Sequence, residues 1–313
     1  MDNRRTFIKK CVLGYTSITM VGWTSCSNAM QKHVPMKNKA PKKVLVLWFS
    51  QTGHTERIGR LIGHEWQKAG LSVEIGEYRD INKSSLSYYD IIAIGTPVNY
   101  MDVPINLKQW LNDIPRIDGV AIVAFVTFGG SGDGQHNTAY SLLELMADKG
   151  GVPVGIATFG NMSTFAPTWS LGNEKRTLSY KHLPNETTYK QVRKFSEEIL
   201  RKISSGQPVK FEKEFGMETL MKIIPQIWFT KLMITNHIID KNACIKCGTC
   251  IHKCPASAID LEKQSVDDER CIACLGCINN CPANAVKMNF FGKPVYGFNE
   301  FLKRKQIKIV EPT

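Results

Sequence analysis

The sequence predicts an α/β fold with a doubly wound, parallel, five-stranded sheet, followed by a small α+β domain. Two observations lead to this prediction. Short apolar runs alternate with amphipathic segments between residues 43 and 205, which is typical of a parallel sheet with helices on both faces. Eight of the ten cysteines then fall between residues 244 and 281 in a repeated pattern. A chain of 313 residues has room for two such domains.

Five strands and four helices are predicted in order along the first segment. Runs rich in Val, Ile and Leu mark the strands, and apolar residues three or four positions apart mark the helices. The predicted strands are 43–49, 72–77, 90–95, 120–126 and 152–159. The predicted helices are 56–68, 105–112, 136–149 and 187–203. Residues 160–184 fit no element and are expected to form an insertion.

Three loops that follow strands 1, 3 and 4 are predicted to bind a ligand, because open α/β sheets bind ligands at the carboxyl edge of their strands. The first loop opens a helix, so its hydroxyls and backbone N–H groups suit a phosphate. It contains no GKS or GKT, which excludes a nucleotide-hydrolysing P-loop. The candidate binding residues are Ser50, Gln51, Thr52, Gly53, His54 and Thr55 in the first loop, Thr96, Pro97, Asn99 and Tyr100 in the second, and Thr127, Phe128, Gly129 and Gly130 in the third.

These loops resemble those of flavodoxins. The pattern S-x-T-G-x-T is similar to that family's FMN-phosphate loop, and the other two loops are similar to its isoalloxazine-binding loops. The resemblance covers about residues 43–205 and implies FMN as cofactor. It implies that Tyr100 stacks on the ring, that Phe128 forms the other wall, and that Gly129 and Gly130 offer N–H groups to the pyrimidine edge. The alternatives are a structural role for Tyr100 and a flavodoxin fold without FMN.

The cysteine repeat predicts two [4Fe–4S] clusters. Its copies, CIKCGTCIHKCP and CIACLGCINNCP, share the spacing C-x2-C-x2-C-x3-C-P and lie 27 residues apart. In this motif the fourth cysteine ligates the other cluster. We therefore assign Cys244, Cys247, Cys250 and Cys281 to one cluster, and Cys271, Cys274, Cys277 and Cys254 to the other. Structural zinc, which prefers two separated cysteine pairs, and disulfides are the alternatives.

Together the two halves resemble the flavodoxin–ferredoxin fusion proteins of anaerobic bacteria, over nearly all of residues 43–290. The expected organisation follows from this resemblance and from the composition of the remaining segments. It comprises a leader (1–28), a linker (29–42), a flavodoxin-like FMN domain (43–205), a connecting arm (206–237), a two-[4Fe–4S] ferredoxin domain (238–290) and a solvated basic tail (291–313).

The N-terminus is expected to be an export leader. The segment Asn3–Lys9 resembles the twin-arginine motif, and the apolar stretch that follows is too short to span a bilayer. The residues before Cys26 resemble a lipobox. We expect a periplasmic protein, or one anchored on the outer side of the cytoplasmic membrane through a lipidated Cys26 or the amphipathic segment 215–239. A chance Arg-Arg pair in a cytoplasmic protein is the alternative.

The predicted function is electron transfer. The net charge of +12 comes without any zinc-finger, helix-turn-helix or aromatic RNA-binding signature, so no nucleic-acid partner is expected. No G-x-G-x-x-G is present, which disfavours direct NAD(P)H binding. Clusters and FMN together predict an oxidoreductase that passes electrons on to a quinone or other small acceptor. The alternatives are a carrier or hub between redox proteins without a small-molecule substrate, and a cluster-only carrier. Whether the chain is an enzyme stays open, and no catalytic residue is predicted.

Export through the twin-arginine route predicts a simple phenotype. Replacing Arg4→Lys and Arg5→Lys together keeps the charge and should retain the protein in the cytoplasm, because the route recognises the arginine pair. Cell fractionation followed by immunoblotting measures this, and Lys9→Arg serves as the conservative control. An unchanged distribution between fractions would remove the export hypothesis.

Overall fold

The computed structural model describes residues 35–130, 134–206 and 226–312. The leader with Cys26, the linker up to residue 34, residues 131–133 of the third loop and residues 207–225 of the arm lie outside the described residues. We call residues 43–205 the sheet domain and residues 226–312 the cysteine domain. No helix of these described ranges has the length and hydrophobicity needed to cross a membrane.

The sheet domain has the predicted alternation of strands and helices. Its strands are β1 (Lys43–Trp48), β2 (Ser72–Glu77), β3 (Ile91–Pro97), β4 (Ala121–Phe128) and β5 (Val152–Gly160). Its helices are α1 (His54–Lys68), α2 (Ile105–Asn112), α3 (Gly134–Ala147), α4 (Pro167–Ser170), α5 (Glu174–Leu178) and α6 (Glu186–Ser205), and two 3-10 turns join β2 to β3.

The strand order confirms the predicted fold class. The strands lie in the order β2-β1-β3-β4-β5, and every neighbouring pair is parallel. The order reverses between β1 and β3, so the loops after these strands flank the crevice where such sheets bind ligands. Alternate residues of β1 enter two apolar clusters: Leu45 packs in the cluster that contains Leu107 of α2, and Val46 packs in the one that contains Ile62 of α1.

The cysteine domain is a small α+β unit. Its elements are α7 (Gln226–Met233), β6 (Ile234–Ile239), α8 (Thr249–His252), β7 (Ile259–Asp260), β8 (Ser265–Val266), α9 (Gly276–Asn280), β9 (Val286–Phe290), β10 (Lys293–Pro294) and α10 (Phe298–Lys305). The strands form an antiparallel sheet in the order β10-β9-β6-β8-β7.

The two copies of the cysteine repeat share one backbone conformation. Lys246 and its counterpart Ala273 both have positive φ, of 54° and 52°. Helices α8 and α9 begin 27 residues apart. Cys254 and Cys281 each accept a hydrogen bond on sulfur from the backbone N–H four residues later, at 3.3 and 3.2 Å. A position in one copy therefore has a local structural counterpart 27 residues away.

Three segments differ from the expectations. Residues 291–313 were expected as a solvated tail. Instead, β10 pairs with β9, and α10 is an amphipathic helix that buries Phe298 and Phe301. The lysines on the other face of α10 hid this pattern in the sequence. The predicted arm already contributes β6, since this strand pairs with β9. The described end of the linker is attached to the sheet domain, where the Lys37 N–H donates to the Gly119 carbonyl at 2.9 Å.

The insertion after β5 packs on the cysteine domain. Trp169 of α4 is 3% exposed and stacks on Phe301, with ring centroids 4.6 Å apart. Its Nε1 donates to the Tyr296 carbonyl at 2.9 Å. Met162 and Ala166 join the same apolar cluster. This segment, which matched no sequence pattern, therefore attaches the sheet domain to the C-terminal helix.

Candidate functional site

A cavity of about 620 Å³ lies at the carboxyl edge of the sheet, and both domains line it. Eight predicted binding residues reach it: Gln51, Pro97, Asn99, Tyr100, Thr127, Phe128, Gly129 and Gly130. The other walls come from the insertion, from α7 and from the cysteine repeat. The main contributors there are Asn161, Met162, Ser163, Thr164, Phe165, Arg176, Phe229, Thr230, Met233, Ala273, Cys274 and Leu275.

The remaining six predicted residues do not line this cavity: Ser50, Thr52, Gly53, His54, Thr55 and Thr96. The Thr55 hydroxyl is buried and lies 2.8 Å from the Thr127 hydroxyl, so these two side chains bind each other. The Thr96 hydroxyl donates to the Pro97 carbonyl at 3.1 Å. Three of the predicted hydroxyls, those of Thr55, Thr96 and Thr127, therefore take part in hydrogen bonds within the sheet domain.

The first loop fits an anionic group. Gly53 precedes α1 with φ 85°, a left-handed conformation that favours glycine, and no described side chain caps the helix. The Ser50 hydroxyl is buried without a hydrogen-bond partner in the described part of the chain. Buried donors without acceptors are costly. A phosphate would accept from the Ser50 hydroxyl and from the first N–H groups of the helix.

His54 is neutral and faces the cysteine domain. Burial, and secondly the charge of Arg57, lower its pKa to about 3. Its ring packs edge-on against Phe298, with centroids 5.6 Å apart. Arg57 is itself held by Glu311 in a hydrogen-bonded ion pair, with Nη2 and Oε1 2.6 Å apart. The C-terminal segment therefore packs against the side of α1 that carries His54 and Arg57, whereas a Cβ at Gly53, directly before the helix, would meet nothing within 4 Å.

The structure brings the cysteines together in the two predicted sets. One small cavity is lined by Cys244, Cys247, Cys250 and Cys281, and another by Cys254, Cys271, Cys274 and Cys277. Among the described residues, no three His, Cys, Asp or Glu side chains are arranged to hold a single metal ion. The cysteines surround the two cavities instead.

The second cysteine set lies inside the molecule. Cys274 lines both its own set's cavity and the 620 Å³ cavity. Burial raises the pKa of Cys274 to about 12, because a thiolate is poorly solvated there. Iron bound at this thiolate would supply the missing positive charge, so the donor set fits an iron–sulfur cluster. Cys247 of the first set is exposed.

His237 was missed by the sequence analysis. Its Nε2 lies 3.3 Å from the Cys277 sulfur, and its ring lines the cavity of the second set. Hydrogen bonds to ligand sulfurs tune the reduction potential of clusters. A single histidine in a β-strand carries no sequence signal for such a role, since only the packing of β6 against the repeat brings it there.

Hydrogen bonds between side chains and backbone carbonyls fix the two domains together. The Tyr100 hydroxyl donates to the Ala273 carbonyl at 2.8 Å, so the tyrosine predicted to stack on a ring also holds the interface. Asn280 Nδ2 donates to the Gln51 carbonyl at 2.8 Å. Arg79 donates to the carbonyl of Cys254 at 3.0 Å. These bonds involve Ala273, which precedes Cys274, Asn280, which precedes Cys281, and Cys254 itself, so they lie beside cysteines of both sets.

Comparison with known proteins agrees with the division of the chain into a sheet domain and a cysteine domain. The model of the family "4Fe-4S dicluster domain" matches residues 236–282. A flavodoxin of Aquifex aeolicus is 26% identical over 123 residues, which cover 37% of this chain and 66% of that protein. A flavodoxin of Clostridium saccharobutylicum is 25% identical over 166 residues, which cover 51% of this chain and 97% of that protein.

The chain joins a flavodoxin-like domain to a 4Fe-4S dicluster domain. Among solved structures, oxidised flavodoxin 1 of Bacillus cereus is similar over 51% of this chain and 98% of its own, with 16% identity and a TM-score of 0.40. The two domain types support an electron-transfer function with iron–sulfur and flavin cofactors.

The burial of His54 predicts a pH dependence of stability. Its pKa is about 3 in the folded chain against 6.5 for the free side chain. Below about pH 6.5 the unfolded chain binds a proton that the folded chain does not, so His54 lowers stability by about 1.4 kcal/mol in total between about pH 7.5 and about pH 5.5. His54→Leu should remove this part of the pH dependence, measured as the denaturant midpoint of the loaded protein over the same range. His64→Leu, exposed on the same helix, is the control. Equal slopes in the wild type and His54→Leu would contradict the assignment.

Proposed function

We propose that this chain is an electron-transfer oxidoreductase that passes electrons between two [4Fe–4S] clusters and an FMN, and on to a quinone or other small acceptor. One observation carries the proposal: Cys274 and the flavodoxin-type loops line the same cavity. A cluster ligand and the flavin site thus share a wall. No external protein is needed between the second cluster and the flavin.

The chain offers suitable groups for each part of FMN. Ser50 and the start of α1 suit the phosphate, while Tyr100 and Phe128 line the cavity as candidate walls. Gly129 lies so close to the insertion that a Cβ at this position would be 2.3 Å from the Ser163 nitrogen, so glycine is required in this wall of the cavity. When bound, FMN exchanges one or two electrons and each cluster exchanges one. The residues named here would bind and position these groups.

The mouth of the cavity supports an apolar acceptor. Phe165 and Phe229 line it and are 40% and 44% exposed. Large exposed aromatics beside a cavity are typical of binding surfaces. A quinone would take two electrons, delivered singly by a one-electron protein donor through the clusters, and two protons from water. Steady-state quinone reduction separates this enzyme from a carrier, which would reduce only protein acceptors.

The order of the cofactors is tested by removing one swapped cysteine. Cys254→Ala should damage the cluster shared with Cys271, Cys274 and Cys277, because Cys254 lines that cavity. EPR of the reduced variant should show the other cluster intact, and stopped-flow absorbance should show flavin reduction through the clusters lost. Cys281→Ala is the matched control, which should lose the first cluster only. Loss of the same cluster in both variants would contradict the ligand sets.

Flavin binding is tested at the first loop. Ser50→Ala removes a buried donor and should weaken FMN binding by about 1–3 kcal/mol, or roughly one to two decades. Riboflavin has no phosphate, so its affinity should be the same for the variant and the wild type. Fluorescence titration of the flavin-free protein measures both, with Ser204→Ala on α6 as control. Equal losses for both ligands would contradict the phosphate site, and no flavin binding would leave a cluster-only carrier.

A further inference from the structure

We propose that the surface around Cys247 is the docking face for an external, acidic one-electron carrier protein. The proposal rests on the proposed function, because it requires the cluster ligated by Cys247. Its evidence is separate, however, and comes from the internal repeat. Each copy presents a face centred on its second cysteine, Cys247 in the first copy and Cys274 in the second.

The face of the second copy is covered by the sheet domain. The Ala273 carbonyl accepts a hydrogen bond from the Tyr100 hydroxyl, and Asn280 Nδ2 donates to the Gln51 carbonyl. Asn279 Nδ2 donates to the Thr164 carbonyl at 2.9 Å. Ile278 is only 3% exposed. This face therefore brings its cluster ligand, Cys274, to the wall of the flavin cavity.

The equivalent face of the first copy is exposed in the described part of the chain, except at one edge, where Arg79 of the sheet domain donates to the His252 carbonyl at 3.0 Å. Ile251, the counterpart of Ile278, is 46% exposed, and the neighbouring Ile245 is 66% exposed. Cys247 is exposed as well. The backbone that presents one cluster to the flavin thus presents the other cluster to solvent. An exposed ligand surrounded by apolar side chains is suited to a second redox contact.

The chemistry of the two faces differs in charge. The covered face carries Ala273, Asn279 and Asn280, whereas the open face carries Lys246, His252 and Lys253 at the equivalent positions. Neutral amides suit a permanent contact with backbone carbonyls. A basic rim around apolar residues instead steers an acidic protein and suits a small, transient interface. The basic residues of the open face therefore favour an acidic carrier as the partner.

The repeat itself supplies the test variant. Lys246→Ala with Lys253→Asn installs the residues of the covered face, which the same backbone conformation already accommodates at Ala273 and Asn280. The matched control is Lys190→Ala with Lys194→Asn, both exposed on α6. The probe is a reduced [2Fe–2S] ferredoxin with an acidic surface. Stopped-flow absorbance follows cluster reduction in the loaded protein, and calorimetric titration follows binding of the oxidised probe.

We expect the Lys246/Lys253 variant to react with the probe about tenfold more slowly at low salt, with the difference shrinking at high salt. Binding should weaken in parallel, while iron content, flavin content and reduction by dithionite stay unchanged. Equal rates in this variant and the control, with both clusters present, would overturn the docking face alone. Faster reaction of the wild type with a basic carrier would overturn the acidic partner. Absence of clusters from the wild type would overturn the proposed function as well.

Discussion

The contact between the cysteine repeat and the carboxyl edge of the sheet is the constraint on which the rest of the structure depends. Electrons move between cofactors only when these lie close together. Here the contact places Cys274 in the wall of the cavity formed by the three sheet loops. In this contact the side chains of Tyr100 and Asn280 donate to backbone carbonyls of the opposite domain. The position of a backbone carbonyl does not depend on the side chain of the residue that carries it.

The segments outside the two recognisable domains serve this contact. The insertion stacks Trp169 on Phe301, and Phe298 of α10 packs against His54 in the first turn of α1. Glu311 then pairs with Arg57, one turn into the same helix. Because these contacts cross between the domains, the loop proposed to hold the FMN phosphate is fixed partly by residues of the cysteine domain. Burial of apolar rings supplies most of the stability of such a joint.

The elements governed by local pattern could be predicted from the sequence. The strand periodicity gave β1 to β5 with small differences at their ends, and the spacing of the cysteines gave the two sets that the structure brings together. Long-range packing could not be predicted in this way. Residues 160–184 lack periodicity, and the lysines of α10 concealed its apolar face. His237 reaches Cys277 only because β6 pairs with β9.

The placement of His54 and Thr55 in the first loop has one physical cause. The sequence predicts that hydroxyls at a helix start face a ligand, and the Ser50 donor remains without a partner as that prediction requires. His54 and Thr55 are the next residues, but they already belong to the first turn of α1 and point toward neighbouring elements. Their environments, Phe298 and Thr127, are remote in sequence. A repeated motif shows which residues share a local backbone, as Cys247 and Cys274 do. Only the tertiary contacts decide which of the two lines the cavity at the sheet edge and which is exposed.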